Sequence, residues 1–470
     1  MQTRARRTLS AAGLGLLACL LAASCADPAA RPSFVLVLAD DLGWADVGYQ
    51  GSSFYRTPAI DALAADGLVF PRAYAPSPVC SPSRAGILTG LHPARLQVTA
   101  AVDEPRVHAP GPATDGPAEE PVWEPWTRDA LPADAPTIAS RLGAAGYRTA
   151  LIGKLHLAND PAALGFQVVR GSSRGGVARS YFQPYGVDDL PVRGDGDEYL
   201  TDRLTDEAIR FLEESGDVPF LLFVSHYAPH SPFEAPAELV TEYEARVDPS
   251  APQRNPVYAA MVEHLDRSVG RLREALVLLD LADHTFLLFT SDNGGWEERR
   301  AENGRAAYSI TSNAPWRSGK GRLYEGGVRV PLVVSGPGIG PGSSSVPVVG
   351  LDLAPTLAAL AGLEPVESDG LDLSSLLSGR ATTLPREALV FHFPHQSLAS
   401  SVLRGEEKLL HFWIKDRDEL YRIDEDPGEL TDLVGREPER AAELRALLFA
   451  ELDRLGAVRP TRNPRYRAGE

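Results

Sequence analysis

The sequence predicts an α/β fold in which a large mixed, mostly parallel sheet is sandwiched by helices, followed by a small C-terminal antiparallel sheet with a helix. Short runs such as Ser33 to Ala39 are apolar on both faces, which is typical of buried parallel strands. Segments with helical spacing of apolar residues alternate with these runs, as they do in helix-covered parallel sheets. After Gly379 the pattern changes to short strand-like runs separated by turns.

Five runs are predicted as strands of the large sheet, and four of them end in polar side chains. The five are Ser33 to Ala39, Tyr147 to Ile152, Phe220 to Val224, Thr285 to Thr290 and Val330 to Val334. The first four are followed by Asp40-Asp41, by Lys154 and His156, by His226 and His230, and by Asp292-Asn293. Open α/β sheets bind ligands at the carboxyl ends of their strands, so one shared site is predicted at this edge.

Helical patterns lie between and after these strands. They run from Thr57 to Ala65, Thr137 to Ala145, Pro256 to about Leu281, Asp352 to Ala361 and Pro438 to Leu455. The apolar stripe of the third and longest should face the sheet, with Glu263, His264 and Asp266 on its solvated flank. The predicted C-terminal strands are Ala388 to Phe393, Ser401 to Arg404 and Lys408 to Ile414.

The composition limits the possible functions. The chain has 470 residues, enough for two or three domain-sized units, and a formal net charge of -17. This acidic balance argues against a nucleic-acid partner, and an anionic substrate would need a local positive pocket. Of the three cysteines, Cys19 and Cys25 lie in an N-terminal export segment, so Cys80 has no intramolecular partner and a disulfide framework is excluded.

The N-terminus has the pattern of an export signal. Arg4, Arg6 and Arg7 precede an apolar run from Ala11 to Ala23, which is too short to span a membrane as a helix. The following Ala22-Ala23-Ser24-Cys25 resembles a bacterial lipobox. We therefore expect residues 1–24 to be a lipoprotein signal peptide and Cys25 to be lipidated, with the protein exported to the periplasm or cell envelope. Cleavage and release without a lipid anchor is the alternative.

Residues 101 to 134 interrupt the alternation of strands and helices. The segment is rich in Pro, Ala, Gly and acidic residues and has no period, so it is predicted to be a surface insertion near the pocket. Trp123 and Trp126 lie within it. They could form a stacking platform for a sugar, although packing against the body of the protein is the commoner role.

The most informative motif is Cys80-Ser81-Pro82-Ser83-Arg84, which continues to Thr89-Gly90. Pro82 and its small neighbours suit the first turn of a helix, where unpaired backbone N–H groups and the helix dipole favour an anion. On these grounds alone, Cys80 could be a nucleophile with a lowered pKa or a small buried apolar residue.

Two further groups of residues point to chemistry. In Gly319-Lys320-Gly321 the glycines allow the backbone to approach a ligand while Lys320 supplies charge, although a flexible basic loop would have the same composition. Asp40, Asp41, Asp292 and Asn293 offer only oxygen ligands, which favour a hard cation such as Ca²⁺ or Mg²⁺. Taken alone, Asp40-Asp41 could equally be a helix cap or a turn.

Together these motifs resemble the formylglycine-dependent sulfatases, of the arylsulfatase and N-acetylgalactosamine-6-sulfatase type, in the alkaline phosphatase-like superfamily. The resemblance includes Gly319-Lys320-Gly321, the run from Tyr324 to Pro331, and Leu420-Tyr421 with Asp426-Pro427-Gly428-Glu429. It extends from about Pro32 to Leu433 and is weakest over the insertion. It implies an alkaline phosphatase-like fold, with a catalytic domain over 32–379 and a C-terminal α+β subdomain over 380–470.

The resemblance also implies a mechanism. A maturation enzyme would oxidise Cys80 to formylglycine. One hydroxyl of its hydrate attacks sulfur and displaces the alcohol; the other then loses its proton, which re-forms the aldehyde, breaks the C–O bond and expels sulfate. One divalent ion, usually Ca²⁺ with Mg²⁺ possible, would be bound by the modified Cys80 and by Asp40, Asp41, Asp292 and Asn293. Lys154 and Lys320 would bind sulfate oxygens.

The remaining roles implied by the resemblance concern proton transfer and positioning. His230 would protonate the leaving oxygen, His156 would contact a formylglycine hydroxyl, and Arg84 would hold the hydrate. We interpret His226 as a lining or structural residue. Leu155 departs from the family, in which an aromatic residue or Met is common at this position.

The sequence therefore predicts a sulfatase that acts on sulfate esters, with a sulfated carbohydrate as the expected natural substrate and an aryl sulfate as the other substrate class. A formylglycine-dependent phosphonate or phosphodiester hydrolase is the first alternative. The second is an inactive, glycan-binding surface lipoprotein, which should have lost at least one of the proposed site residues. All of them are present.

Overall fold

The computed structural model describes residues 31–102, 120–173, 175–191, 196–300 and 308–466. The predicted signal peptide, Cys25 and residues 103–119 of the predicted insertion lie outside the described residues. Among the residues described, no helix combines the length and apolar character needed to cross a bilayer.

Strands and helices alternate over most of the chain. The strands are β1 Ser33–Ala39, β2 Leu68–Val69, β3 Ala73–Tyr74, β4 Val122–Trp123, β5 Arg148–Gly153, β6 Val168–Arg170, β7 Phe220–Ser225, β8 Thr285–Ser291, β9 Arg299–Arg300, β10 Tyr308–Ser309, β11 Leu332–Ser335, β12 Gly342–Ser343, β13 Val348–Val349, β14 Leu389–Phe393, β15 Ala399–Arg404, β16 Glu407–Phe412, β17 Arg417–Arg422 and β18 Thr461–Arg462. The helices are α1 Pro58–Asp66, α2 Cys80–Thr89, α3 Pro93–Leu96, α4 Ile138–Ala144, α5 Leu200–Glu213, α6 Ala237–Glu244, α7 Pro256–Leu278, α8 Glu325–Val328, α9 Leu353–Leu360, α10 Ser374–Leu377 and α11 Pro438–Arg454.

One eight-stranded sheet forms the centre of the molecule, in the order β12-β2-β11-β8-β1-β7-β5-β6. The pairs between β8, β1, β7, β5 and β6 are all parallel, whereas β11 is antiparallel to both of its neighbours. The predicted mixed, mostly parallel sheet is confirmed.

Helices cover both faces of this sheet, as the side chains of β1 show. Val35, Val37 and Ala39 pack into a core with α1, α5, α6 and α7. Phe34, Leu36 and Leu38 point to the opposite face and pack with α2, α4, α9 and α10. A strand that is apolar on both faces is thus buried between two helical layers, as its sequence predicts.

The polar flank of α7 contradicts its sequence interpretation. Glu263, His264 and Asp266 are predicted to be solvated, but all three are buried. The prediction fails because α1, α5 and α6 pack over this side of α7 and supply polar partners. Asp266, for example, accepts hydrogen bonds from the backbone N–H groups of Ala59 and Ile60 in α1, at 2.9 and 2.8 Å.

The small C-terminal sheet lies between the main body and α11. Its order is β14-β15-β16-β17, and all of its pairs are antiparallel. Val402, Leu409 and Leu420 pack against α11 on one face. Leu403 and Leu410, on the other face, pack in a cluster with Val79, Leu323 and Val328 of the main body. The predicted sheet is confirmed, while the domain boundary at residue 379 stays a prediction.

Several elements differ from their predictions. Helices α5 and α6 are not predicted, and neither is β17, which contains Leu420-Tyr421 of the C-terminal family motif. Most predicted bounds are displaced by one or two residues, and the longest helix ends at Leu278 rather than near Leu281. In the described part of the insertion, β4 pairs antiparallel with β18 near the C-terminus.

Candidate active site

The polar ends of four neighbouring strands meet at one edge of the sheet. Strands β8, β1, β7 and β5 are adjacent, and Leu38 of β1 and Gly153 of β5 both pair with Ser225 of β7. Ala39 pairs with Ser291 of β8 in the same way. The in-register parallel pairing therefore brings Asp40-Asp41, Lys154, His226 and Asp292-Asn293 together.

Cys80 is the first residue of α2 and faces these strand ends. Its Sγ lies 3.4 Å from Oδ1 of Asp40 and 3.9 Å from Oδ1 of Asp41. Burial raises the pKa of the Cys80 thiol above its usual value, although Lys154 and Lys320 oppose the shift. An unmodified Cys80 is therefore held as a thiol, which does not favour the simple low-pKa nucleophile.

Arg84 lies one helical turn after Cys80, is buried, and binds the ends of several strands. Its Nε donates a hydrogen bond to Oδ2 of Asp292 at 2.8 Å, and its Nη2 lies 3.6 Å from Oδ1 of Asp40. Its Nη1 donates to the carbonyl of Lys154 at 2.9 Å and to Oγ of Ser225 at 2.6 Å. One guanidinium thus fixes α2 against β1, β5, β7 and β8.

Two lysines neutralise the adjacent carboxylates. Nζ of Lys154 lies 2.7 Å from Oδ2 of Asp40, and both side chains are fully buried. Nζ of Lys320 lies 2.7 Å from Oδ2 of Asp41. With Arg84 and Asp292 included, three cationic side chains face three carboxyl groups, so anionic ligands do not meet an uncompensated negative charge.

The two aspartates respond differently to this environment. Burial raises the pKa of Asp40 to about 7, and Lys154 only partly opposes it. For Asp41 burial acts in the same direction, but Lys320 and His230 outweigh it and lower the pKa. Asp41 also has a left-handed backbone, with φ 64°, and its carbonyl accepts a hydrogen bond from the Tyr258 hydroxyl at 3.1 Å.

The donor atoms fit a divalent cation. Ligand atoms of Asp40, Asp41, Cys80 and His230 lie within 4.8 Å of one another. Oδ1 of Asn293 is buried and, among the described residues, has no hydrogen-bond partner, while its Nδ2 donates to Asp41 at 2.8 Å. An orphaned buried acceptor beside two carboxylates is what a hard cation would satisfy.

The cluster is not identical to the predicted ligand set. It includes His230, whose Nε2 lies 3.6 Å from Oδ2 of Asp41 and which the sequence assigned to proton transfer. Asp292 is predicted as a ligand, but its Oδ2 is held by Arg84 and its Oδ1 accepts the Asp41 N–H at 3.2 Å.

The two predicted proton-transfer histidines line the same cavity as Cys80. Burial lowers the pKa of His230 to about 3, and Lys320 adds to this effect. The His230 Nδ1 is hydrogen bonded to the Ser231 carbonyl at 2.8 Å, so Nδ1 carries the proton of the neutral ring. His156 packs closely against Gly176, where a Cβ atom would collide with the imidazole. Gly176 was not identified from the sequence.

His226 is not among the residues that line this cavity. It is fully buried, and its Nε2 is hydrogen bonded to Oγ of Ser268 in α7 at 2.9 Å. Burial lowers its pKa to about 4, so the ring is neutral and fixes the end of β7 to the helical layer.

The cavity has a volume of about 750 Å³. Besides Cys80, His156, His230 and Lys320, it is lined by Val79, Ala101, Gly175, Val177, Trp296, Glu297, Glu298, Ser318, Gly319, Gly321, Arg322 and Gln396. Trp123 is buried in β4, and Trp126 contacts Arg128; neither is among the lining residues. The aromatic side chain at the cavity is Trp296, which no sequence motif identifies.

Comparisons with known proteins identify the family of this chain. Residues 32–363 match the family model described as Sulfatase, and residues 318–457 match that described as N-sulphoglucosamine sulphohydrolase, C-terminal. The N-acetylgalactosamine-6-sulfatase of Sus scrofa is 32% identical over 437 residues, which cover 86% of this chain and 74% of the relative. Arylsulfatase A of Homo sapiens is 31% identical over 489 residues, covering 90% and 88%.

A solved structure extends the likeness to three dimensions. Ps i-CgsB, solved in complex with k-i-k-neocarrahexaose, superposes with a TM-score of 0.74 at 27% identity and covers 93% of this chain and 94% of its own. The matched family model spans the strand ends that carry Asp40, Lys154 and Asp292 as well as Cys80. The chain therefore belongs to the sulfatase family of sulfuric ester hydrolases, with the alkaline phosphatase-like fold.

Proposed function

We propose that this protein hydrolyses sulfate esters of carbohydrates through a formylglycine made from Cys80. The observation that carries the proposal is the position of Cys80: its buried Sγ lies against Asp40 and Asp41, at the floor of a cavity lined by Lys320, His156 and His230. A buried thiol with a raised pKa is poorly suited to attack sulfur itself. Once hydrated, the aldehyde made from it would supply the attacking oxygen.

The carboxylates are proposed to hold the metal ion. Asp40, Asp41 and Asn293, with Asp292 beside them, offer oxygen ligands that suit Ca²⁺, with Mg²⁺ as the alternative. When bound, such an ion would supply positive charge beside the attacking oxygen. Asp292 is proposed to contribute by orienting Asp41 and Arg84, both of which it contacts directly.

Charged side chains of the chain are proposed to bind and orient the sulfate group. Lys320 lines the cavity and lies only 17% exposed, so its charge is little screened by solvent. Lys154 is fully buried and lies against Asp40. Engagement of Asp40 and Asp41 with a cation would leave both ammonium groups available to sulfate oxygens.

His230 is proposed to give the leaving oxygen its proton. Its low pKa means that the ring is neutral at pH 7 in the absence of ligand. A sulfate ester bound next to it and to Lys320 would add negative charge and raise this pKa toward a useful value. His156, on the cavity wall, is proposed to exchange a proton with the hydrated aldehyde.

The substrate class rests on the relatives. N-acetylgalactosamine-6-sulfatase is named for a sulfated sugar, and Ps i-CgsB is solved with neocarrahexaose. The cavity is also large enough for a sugar, because ligand sites of drug-sized molecules have volumes of roughly 300 to 1,000 Å³.

Export remains part of the proposal through the N-terminal sequence. We propose a signal peptide over residues 1–24 and a lipid on Cys25, with the enzyme in the periplasm or cell envelope. The mass of the mature N-terminus, measured on protein from the native membrane fraction, would distinguish a lipidated Cys25 from a free one.

The reaction class can be tested with paired aryl substrates. Protein produced together with a formylglycine-generating enzyme should turn over 4-nitrophenyl sulfate with a kcat/KM well above that for 4-nitrophenyl phenylphosphonate. A reversed preference would replace the sulfatase with the phosphonate hydrolase. Turnover of neither substrate, by protein shown to carry the aldehyde, would favour the inactive glycan-binding protein.

A further inference from the structure

The cavity contains more recognition groups than a sulfate ester alone would use. Trp296, Arg322 and Gln396 line it, yet none of them has a role in the proposed chemistry. Gln396 belongs to the C-terminal part of the chain. Trp296 follows the strand end that carries Asn293, and Arg322 lies two residues after Lys320.

Arg322 provides a positive charge that forms no ion pair with a carboxylate among the described residues. Its side chain is exposed at the cavity, two residues after Lys320, and its backbone N–H donates to the Gly319 carbonyl at 3.1 Å. Nearby arginines are engaged: Arg317 donates to the Glu429 carbonyl, and Arg329 pairs with Glu325. Within the described ranges, no carboxylate forms an ion pair with the Arg322 guanidinium.

The carboxylate of Glu297, which also lines the cavity, is directed elsewhere. Burial raises the pKa of Glu297, and the side chain of Ser312 and the backbone of Asn313 oppose this shift. The charge of Arg322 is therefore available to a ligand. Because a guanidinium matches the geometry of sulfate and carboxylate groups, it is suited to bind either of them.

Trp296 offers a flat apolar surface next to the reacting groups. Its ring centroid lies 6.4 Å from that of His230 and 5.4 Å from Nζ of Lys320. The segment before it is fixed, because the Gly295 N–H donates to Oδ1 of Asn313 at 3.2 Å and the Gly295 carbonyl accepts from the Lys320 N–H at 3.1 Å. The alcohol part of a substrate bound at Lys320 would lie against this indole.

We propose that Trp296 and Arg322 form a subsite for a multiply anionic glycan. Trp296 packs against the sugar ring that carries the reactive sulfate, and Arg322 binds a second anionic group, a sulfate ester or a carboxylate, elsewhere on the same glycan. This inference rests on the proposed function and specifies its substrate class.

Binding measurements can test the subsite without turnover. Calorimetric dissociation constants are measured on Cys80→Ala protein, which cannot form the aldehyde, for three disaccharides. One carries a single sulfate, one carries a second sulfate on the neighbouring ring, and one carries a carboxylate there. At least one of the doubly anionic ligands should bind about tenfold more tightly than the monosulfated one, since a charged hydrogen bond that is partly exposed contributes on this order. The tighter ligand identifies the second group.

Variants then assign the effect to residues. Arg322→Gln should abolish the tenfold advantage, while Arg436→Gln should keep it, because Arg436 is also exposed but does not line the cavity. Trp296→Ala should weaken the binding of all three ligands several-fold, and Trp296→Phe should restore part of the loss.

Equal affinity for singly and doubly anionic ligands, or an advantage that survives Arg322→Gln, would overturn the subsite. Failure of the matured wild-type protein to release sulfate from any of the three disaccharides and from 4-nitrophenyl sulfate would instead overturn the proposed function.

Discussion

Arg84 connects the residue that is proposed to be modified with four strand ends, so its geometry matters as much as its charge. The planar guanidinium donates in different directions to Asp292, the Lys154 carbonyl and Ser225. A lysine at this position keeps the charge but cannot reproduce these bonds. Arg84→Lys should therefore lower kcat/KM about a hundredfold, as misplacement of catalytic groups by about 1 Å does.

Urea unfolding and 4-nitrophenyl sulfate turnover, measured together, check this prediction. Arg203→Lys is the matched control, since Arg203 is also fully buried and pairs with Glu207 at 2.8 Å, away from the cavity. The control should lose stability but keep its turnover. Comparable turnover losses in both variants would show that Arg84 acts only through general stability.

At the scale of single residues, candidate site residues could be identified from the sequence where they follow buried strands or lie in known motifs. Asp40, Lys154 and Asp292 could be brought together because parallel strands align their carboxyl ends. Trp296 and Arg322 could not be assigned, because nothing in their spacing shows that they face a cavity. Asp266 was misinterpreted because a polar residue on a helix indicates solvent only if no other helix covers it.

The short helix α8 connects the Lys320 loop to the C-terminal sheet through a buried charge cluster. Nζ of Lys408 in β16 lies 2.8 Å from Oε1 of Glu325 and 3.1 Å from Oε1 of Glu429, and all three side chains are fully buried. The Glu325 N–H also donates to Glu429 at 2.7 Å. On its other side α8 contacts the Asn293 strand end, where the Gly294 N–H donates to the Gly327 carbonyl at 3.0 Å.

Removing Lys408 should disturb both the fold and the site. Lys408→Met leaves the buried carboxylate of Glu429 without Lys408 and leaves Glu325 with Arg329 as its cationic partner, so the free energy of unfolding should fall by about 3 to 5 kcal/mol. Turnover should fall as well at temperatures where the variant is still folded, because α8 positions Lys320 and Asn293. The double variant Lys408→Met/Glu429→Gln should recover part of both losses, and the exposed Lys415→Met should show neither. Full turnover in folded Lys408→Met would contradict the link.

At the scale of elements, the long apolar strands and helices were predictable, and the exceptions have identifiable causes. The apolar residues Leu200, Leu204 and Phe211 of α5 have helical spacing, so this helix could have been found from the sequence. Strand β17 is not predicted, because Leu420 and Tyr421 within it are considered only as part of the C-terminal family motif. Short strands β4 and β18 pair with each other although 338 residues separate Trp123 from Thr461. The local sequence of either strand therefore does not predict the pair.

The whole molecule should respond to its proposed cation. Ca²⁺ bound to Asp40, Asp41 and Asn293 would favour the folded state by mass action. Prolonged dialysis against a chelator should therefore lower the thermal midpoint and abolish turnover, and Ca²⁺ should restore both more effectively than Mg²⁺ at equal concentration. Asp41→Asn should make the midpoint insensitive to Ca²⁺. An unchanged midpoint and full turnover after chelation would contradict the metal site.

The layered α/β architecture and the C-terminal sheet were predictable because alternating apolar periods leave few other ways to bury both faces of a strand. The packing of the C-terminal sheet against the main body was not predictable. That interface depends on the buried pairing of Lys408 with Glu325 and on apolar contacts between segments distant in sequence.

The central claim is that Cys80 becomes the catalytic aldehyde. The most direct measurement is peptide mass spectrometry across Cys80 in protein produced with its maturation enzyme, paired with turnover of 4-nitrophenyl sulfate by wild type and Cys80→Ala. The account predicts the mass of formylglycine at residue 80 and loss of turnover in the variant. Unmodified Cys80 in protein that still turns over the substrate would contradict it.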